Sequence, residues 1–412
     1  MNLNLPTYSN EHNQDFNTKK HALLSRDQGW LDLKEHVDIE GIKQFSESVK
    51  NKFERIIILG IGGSALGITA LLKSLKPYYW NELTSEQRKN SPTIHILDNI
   101  DPDLISDFET SFDLKKAIFI VITKSGTTPE TLSQYYYFQK KYSKDQFVFI
   151  TDPEVGLLRE IATKENIPTF DVPPKIGGRF SVLTAVGLLP AALLGIDIEK
   201  LLKGAEQLKE QFFSSTTHPA YDLAFYQHQL YTTQNVNMTV LMPYSNKLFT
   251  IADWYRQLLA ESIGKEVNRA GEQVNVGITP INALGVTDQH SQSQLYTEGP
   301  KDKLILTIKV ENQQADSSKI EVSTSGFEFL NKITFKQLLD TEHQATLDAL
   351  TNYKTPNATL TISEINEETI GELIMFFQLS VGLLGEFFNI NAFDQPGVEL
   401  SKKLTKEYLL KA

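Results

Sequence analysis

Cysteine is absent from all 412 residues. Disulfides, thiolate nucleophiles, thiolate-bound zinc and iron–sulfur clusters are thereby excluded, and any chemistry must come from oxygen and nitrogen groups. Arginine is scarce, with seven in the chain, and 51 acidic side chains outnumber 40 basic ones to give a net charge of −11. The mean field opposes phosphate backbones and anionic lipid, leaving only a local basic pocket to attract a small anion. No apolar run of signal-peptide length is found in Met1 to Asp15. The longest apolar stretch, Leu373 to Gly385, contains Gln378 and Ser380 and sits between Glu372 and Glu386, short of a membrane span. The expectation is a cytoplasmic protein with neither nucleic acid nor membrane as partner. What remains, 41% hydrophobic and 22% charged, is a globular composition with material for two or three domains.

From residue 55 onward short β-rich runs alternate with helical stretches, the pattern of parallel strands joined by crossover helices. The strands expected are Arg55–Leu59, Thr93–Leu97, Ala117–Thr123, Phe147–Ile150 and Pro168–Asp171, with helices over Ser64–Lys76, Pro129–Tyr142 and Pro153–Glu165. That is a doubly wound sheet of about five strands. Ser181–Leu194 reads as a buried apolar helix and Ile198–Phe213 as an amphipathic one, a bridge to a second domain. A second series follows: strands Thr239–Met242, Lys303–Val310, Ile320–Val322 and Thr359–Ile362, and helices Leu248–Ile263, Thr334–Leu350 and Glu367–Phe388. The plan repeats without a repeated sequence, and Gly397–Leu410 ends the chain as a charged amphipathic helix.

Two βα junctions carry candidate anion sites. In Ile56-Ile57-Ile58-Leu59-Gly60-Ile61-Gly62-Gly63-Ser64 an apolar strand opens into a glycine-rich turn, where backbone N–H groups and the helix dipole can meet a negative charge. A glycine turn is also often mere geometry. It is not a dinucleotide fingerprint, because the third glycine is missing and the next strand runs to Asp98. The junction Thr123-Lys124-Ser125-Gly126-Thr127-Thr128-Pro129-Glu130 is more telling. An ordinary Ser/Thr cap explains one hydroxyl, not four, whereas a phosphate dianion needs several donors around one centre. The lysine precedes the glycine, so this is not the nucleotide P-loop.

Three further segments stand out. Lys175-Ile176-Gly177-Gly178-Arg179-Phe180-Ser181 presents one of the few arginines at the head of an apolar helix, for anion recognition or for an interdomain salt bridge. Trp254 to Lys265 places Gln257 and Glu261 on one helix face just before Gly264. Glu261 is a candidate general base if burial lifts its pKa, and otherwise a solvated glutamate on a packing helix. His290 lies in a polar loop and Lys402 on the last helix, both positions that are usually solvated.

These segments, in this order, resemble the glucose-6-phosphate isomerase (phosphoglucose isomerase) family in its shorter bacterial form. The likeness covers roughly residues 55–410 and rests on Gly177-Gly178-Arg179-Phe180-Ser181 and on Phe393-Asp394-Gln395-Pro396-Gly397-Val398-Glu399-Leu400-Ser401-Lys402. It implies an α/β fold of two sugar isomerase (SIS) domains, each a doubly wound, mainly parallel sheet flanked by helices, with a C-terminal helical arm. The boundaries expected are 1–45 for an N-terminal segment, 46–200 and 201–390 for the two domains, and 391–412 for the arm carrying Lys402.

The resemblance also implies the chemistry: reversible aldose–ketose isomerisation of glucose 6-phosphate and fructose 6-phosphate through ring opening and a cis-enediol(ate), in glycolysis and gluconeogenesis, with no cofactor and no metal. By resemblance Gly63, Ser64, Thr123, Lys124, Ser125 and Thr128 hold the phosphate, Glu261 is the base, and Arg179 faces the enediolate oxygens. His290 opens the hexose ring, Lys402 stands beside the ring oxygen and C1 hydroxyl, Glu130 orients the histidine, and Gln257 and Gln395 line the site. The histidine reaches the site from the neighbouring subunit in this family, which implies a homodimer with a shared active site. One departure is Ile263, where many members have a polar residue. Two other classes stay open: a different phosphosugar isomerase on the same domains, and a non-catalytic sugar-phosphate sensor, which would tolerate loss of the base and usually carry a DNA-binding segment, of which no basic helix-turn-helix is visible.

Overall fold

The computed structural model describes residues 1–5, 15–313 and 318–411, so most of the polar Met1 to Asp15 stretch lies outside the described residues. Its strands, in chain order, are β1 (Asn2–Asn4), β2 (Arg55–Leu59), β3 (Thr93–Leu97), β4 (Ala117–Ile122), β5 (Phe147–Thr151), β6 (Thr169–Asp171), β7 (Met238–Pro243), β8 (Lys265–Val267), β9 (Gln273–Val276), β10 (Thr279–Asn282), β11 (Lys303–Val310) and β12 (Asn357–Ile362).

One sheet has the order β3-β2-β4-β5-β6 with every pairing parallel. All six residues of β4 are buried, as an apolar strand covered on both faces requires. Parallel neighbours cannot be joined by a hairpin, and the crossovers are the helices Leu66–Leu75, Pro102–Ser111, Pro129–Phe138 and Leu157–Glu165. On one face Phe119 stacks on Phe147 at 5.0 Å and Tyr135 stands edge-on to Phe149 at 5.1 Å, within one apolar cluster.

The other sheet has the order β1-β12-β11-β7-β10, parallel except for β1, which runs antiparallel along β12 with Leu3 opposite Leu360. β8 and β9 form a separate antiparallel ribbon. Leaving β1 aside, both sheets share one winding plan. In each, the second strand in chain order lies outside the first and the third lies on the first strand's other side, so winding reverses between β2 and β4 and again between β7 and β11. Loops leaving the carboxyl ends of such a pair diverge and open a crevice.

Contact clustering divides the chain into two compact units. The first sheet belongs to Arg26–Lys209 with Asn366–Glu372, the second to Met1–Ser25, Glu210–Ile365 and Leu373–Ala412.

The α/β reading of both series holds, with local corrections. Ile320–Val322 is not a strand: only a single bridge, Lys319 to Thr334, forms there. The stretch read as one helix from Ser181 is a 3-10 turn, Gly178–Leu183, followed by the helix Ala185–Leu193, because the Thr184 side chain accepts from the Val186 N–H and starts a new helix. β1, β10 and the helix Pro219–Gln234 were not anticipated, and each has a weak local signal: two asparagines in three residues, a proline inside a four-residue strand, and a polar-rich helix. The crossover helix Pro102–Ser111 and the β8–β9 ribbon were not anticipated either.

The helix Glu367–Phe387 is long and apolar enough to cross a membrane by length and composition, but 89% of its apolar window is buried inside the fold. Its start crosses the helix Ile198–Ser214 with backbones touching. A Cβ on Gly371 would collide with the Leu201 carbonyl oxygen, and one on Gly204 with the Glu368 carbonyl oxygen. In a free helix Gly→Ala stabilises by about 1 kcal/mol; here overpacking of about 1–3 kcal/mol opposes it. Gly371→Ala is therefore expected to lower the denaturation midpoint, and a raised midpoint in urea titration would show that the crossing yields freely.

Candidate active site

The switch point of the first sheet is where both sequence-marked turns emerge. β2 ends at Leu59 and leads through a 3-10 turn, Gly62–Ser64, into the helix Leu66–Leu75; β4 beside it ends at Ile122 and leads through Thr123 to Thr128 into the helix Pro129–Phe138. The hydroxyls of the second turn cluster. Thr123 Oγ1 lies 2.6 Å from Thr128 Oγ1 and 3.4 Å from Ser125 Oγ, and Thr127 Oγ1 donates to Ser125 Oγ at 3.2 Å. Thr128 occupies the N-cap position, yet its side chain makes no cap bond. The hydroxyls thus face one another instead of closing the helix end, which leaves the positive pole of the dipole for an anion.

Lys124 does not join this cluster. Its Nζ donates to the Pro174 carbonyl at 2.8 Å, and burial holds its ammonium below the ordinary lysine value against the opposing pull of Asp152. The turn itself is shaped by Gly126, at φ +64°, packed on Gly156.

Arg179 arrives beside the other turn. A Cβ on Gly63 would run into the Gly178 carbonyl and stand 3.0 Å from the Arg179 amide nitrogen, so the glycine turn and the arginine loop touch backbone to backbone. Arg179 is 2% exposed, and its guanidinium carbon lies 5.6 Å from the Phe180 ring, which stacks on Trp30 at 5.2 Å. Ser64 and Glu130, in the first turn of its helix, are half-buried at the same carboxyl edge.

In the other unit Glu261 ends the helix Phe249–Ile263, which packs along β10 in the opposite sense. Asn282, at the carboxyl end of β10, donates from Nδ2 to Asp253 at 3.0 Å, while Gly277, before its amino end, lies against Gly264. Gln257 Nε2 donates to Glu261 Oε1 at 2.9 Å, as their four-residue spacing requires. Ile263 is wholly buried, so the departure from the family pattern falls in the core.

Sequence reasoning assigned no role to Lys265, although it closed the quoted segment. Its buried side chain donates from Nζ to the Glu261 carbonyl at 2.7 Å and lies 3.7 Å from the Asp394 carboxylate. Asp394 also accepts from Asn391 Nδ2 at 2.8 Å, so the turn bearing Gln395 is tied to the end of the helix bearing Glu261 and Gln257. The signal available was a lysine directly after a helix-terminating glycine.

Two candidates remain, His290 and Lys402. His290 ends a 3-10 turn, Thr287–His290, that follows β10 at its carboxyl edge, and it is exposed. Glu261 is near the amino edge of that strand, and the five residues from Gly277 to Asn282 span roughly 16 Å of extended chain. Lys402 is exposed on the helix Glu399–Leu409 and pairs with Glu399 at 2.7 Å. Among the described residues no group of three His, Asp or Glu is placed to hold a metal ion.

The family described as Phosphoglucose isomerase matches residues 33–411. A glucose-6-phosphate isomerase of Carboxydothermus hydrogenoformans is 44% identical over 382 residues, covering 89% of this chain and 81% of the relative. Among solved structures, a hypothetical protein from Thermus thermophilus superposes with a TM-score of 0.86 at 34% identity, over 96% of this chain and 94% of the other. A glucose-6-phosphate isomerase of Chlamydia trachomatis shares the fold, with a TM-score of 0.77 at 22% identity over 98% and 80%.

Because nothing larger than hydrogen fits at residue 63, Gly63→Ala should push the glycine turn and arginine loop apart and raise the Kd for a sugar phosphate at least about tenfold, or roughly 1.4 kcal/mol. Titration calorimetry reads it, and an unchanged Kd would remove this contact from anion binding.

Proposed function

The chain belongs to the phosphoglucose isomerase family, and on that footing we propose how its residues interconvert glucose 6-phosphate and fructose 6-phosphate. The observation that carries the reading is the switch point of the first sheet, where a hydroxyl cluster and an arginine loop flank one glycine turn. Gly63, Ser64, Thr123, Ser125 and Thr128 hold the phosphate; Lys124, bound to a carbonyl, adds its charge from behind the turn. His290 opens the ring, oriented by Glu130, and Lys402 attends the ring oxygen and C1 hydroxyl.

Glu261 takes the proton from C2 of the open aldose, the C2–H electron pair forms the C1=C2 double bond, and the C1=O1 pair moves onto O1 to give the cis-enediolate. The same carboxylic acid returns its proton to C1, while the O2 hydroxyl proton passes to O1 and O2 becomes the ketose carbonyl. Proton abstraction next to a carbonyl requires stabilisation of the developing oxyanion, and the permanent charge of Arg179 supplies it. Gln257 donates to one carboxylate oxygen of Glu261 and so orients the base. Gln395 lines the site from the turn that Lys265 fastens to the same helix end.

The position of His290 and Glu261 at opposite edges of one sheet supports a homodimer in which the histidine serves the partner's site. Membership of a family of metabolic isomerases and the acid-rich composition support a cytoplasmic location.

Two substitutions test the roles. Glu261→Gln keeps an oxygen able to accept from Gln257 but removes the base. Turnover of fructose 6-phosphate, coupled to a dehydrogenase that reports glucose 6-phosphate, should fall by about three orders of magnitude or more with KM changed only a few-fold. Comparable turnover would exclude Glu261 as the base. Arg179→Lys should lower kcat more than it raises KM, since the loss falls on transition-state charge; a rise in KM alone would assign Arg179 to substrate holding.

A further inference from the structure

The turn that ends in His290 is seated on one buried side chain with no part in the chemistry above. Tyr244 directly follows β7 and is 2% exposed. Its ring supports the loop from beneath: a Cβ on Gly285 would stand 2.6 Å from three ring carbons, and the Gly285 N–H donates to the Pro243 carbonyl at 3.0 Å. Its hydroxyl accepts from Gln289 Nε2 at 2.7 Å and is also hydrogen-bonded to Thr346. Gln289 is the residue before His290.

The seat is backed by the sheet. The His343 ring stands edge-on to Tyr244 at 4.4 Å, and His343 Nε2 lies 3.0 Å from Thr307 Oγ1 on β11, itself 3.0 Å from Thr359 Oγ1 on β12. Burial pushes the Tyr244 phenol up, so it stays protonated and keeps both its donor and its acceptor.

Asp288 makes the turn rigid within itself. Its carboxylate accepts from the Leu284 N–H at 2.7 Å and the Ser291 hydroxyl at 2.6 Å, and its carbonyl accepts from the Gln292 N–H at 2.9 Å. Those bonds lie within the turn and hold its shape. What ties it to the surrounding fold is the Tyr244 ring under Gly285, the Gly285 N–H on the Pro243 carbonyl, and Gln289 Nε2, which donates to the Tyr244 hydroxyl at 2.7 Å and reaches the Glu342 carbonyl at 3.5 Å.

We infer that Tyr244 is a positioning residue for ring opening: through Gln289 it sets the orientation of the turn that presents His290. Phenylalanine would fill the same core volume, so the hydroxyl is what the inference turns on. It rests on the assignment of His290 to ring opening.

The test separates ring opening from isomerisation by comparing fructose 6-phosphate with its analogue lacking the 5-hydroxyl, which cannot close a furanose. Each variant is expressed as a ratio to wild type on both substrates, which cancels any loss of folded protein. Tyr244→Phe, which removes the hydroxyl's hydrogen bonds to Gln289 and Thr346, is expected to lower kcat/KM for fructose 6-phosphate about tenfold, while changing the analogue less than twofold. Gln289→Leu, which removes the other end of the bond, should do the same and stands in if the tyrosine variant fails to fold. His290→Ala should show the same selectivity with a larger loss. If His290→Ala slows both substrates equally, the ring-opening assignment falls and this inference with it. If His290→Ala is selective while Tyr244→Phe and Gln289→Leu slow both substrates equally or neither, Tyr244 does not position the histidine.

Discussion

The constraint from which the rest follows is that parallel strands must be joined by crossovers, and a sheet covered on both faces must reverse its winding once. At the reversal two neighbouring strands send their chains to opposite faces, and the backbone between them has no regular partner. In the first sheet the loops after β2 and β4 meet this condition, and they hold the glycine turn and the hydroxyl cluster. An anion there finds helix dipoles and hydroxyls without any strand having to deform. The scarcity of arginine is consistent with such a site: Arg179 is buried, its guanidinium carbon lies 5.6 Å from the Phe180 ring, and the backbone at its amide is pressed to the glycine turn.

The second sheet repeats the winding but divides its labour by edge. Its carboxyl edge carries Tyr244 and the His290 turn. Its amino edge receives the end of the crossover helix, with Glu261, Gln257 and the lysine-tied turn of Gln395. A helix crossing over from a strand must run back along the sheet, so Glu261 in its last turn and His290 after the next strand are held apart by the fold itself. Under the roles proposed above, sharing of sites between copies would bring both residues to one substrate.

Much of this was legible in the amino-acid order. Short β-rich runs marked all five strands of the first sheet, and Pro129 and Gly264 marked a helix start and stop. The candidate residues came from motif order and not from periodicity; by periodicity alone Glu261 and Lys402 are ordinary helix residues. What could not be read is long-range. That β2 and β4 are neighbours, that Gly63 needs its hydrogen because Gly178 passes over it, and that Lys124 turns away to Pro174 are properties of packing between segments dozens of residues apart. β10 was missed because Pro280 and Asn282 argue against a strand locally, and its parallel pairing with β7 prevails.

The antiparallel strand β1 has a kinetic meaning. It pairs residue 2 with residue 361 and residue 4 with residue 359, so its partner strand is more than 350 positions away. Almost the whole first unit, Arg26–Lys209, lies between them and can complete its own sheet from local crossovers. The second unit takes strands from both sides of that segment, and closure of so long a loop is slow. Until then the edge of β12 that β1 will cover has nothing paired to it, an exposed template for other chains. Vulnerability to aggregation during folding therefore belongs to this late-closing edge, and not to the core strands whose residues are the most apolar.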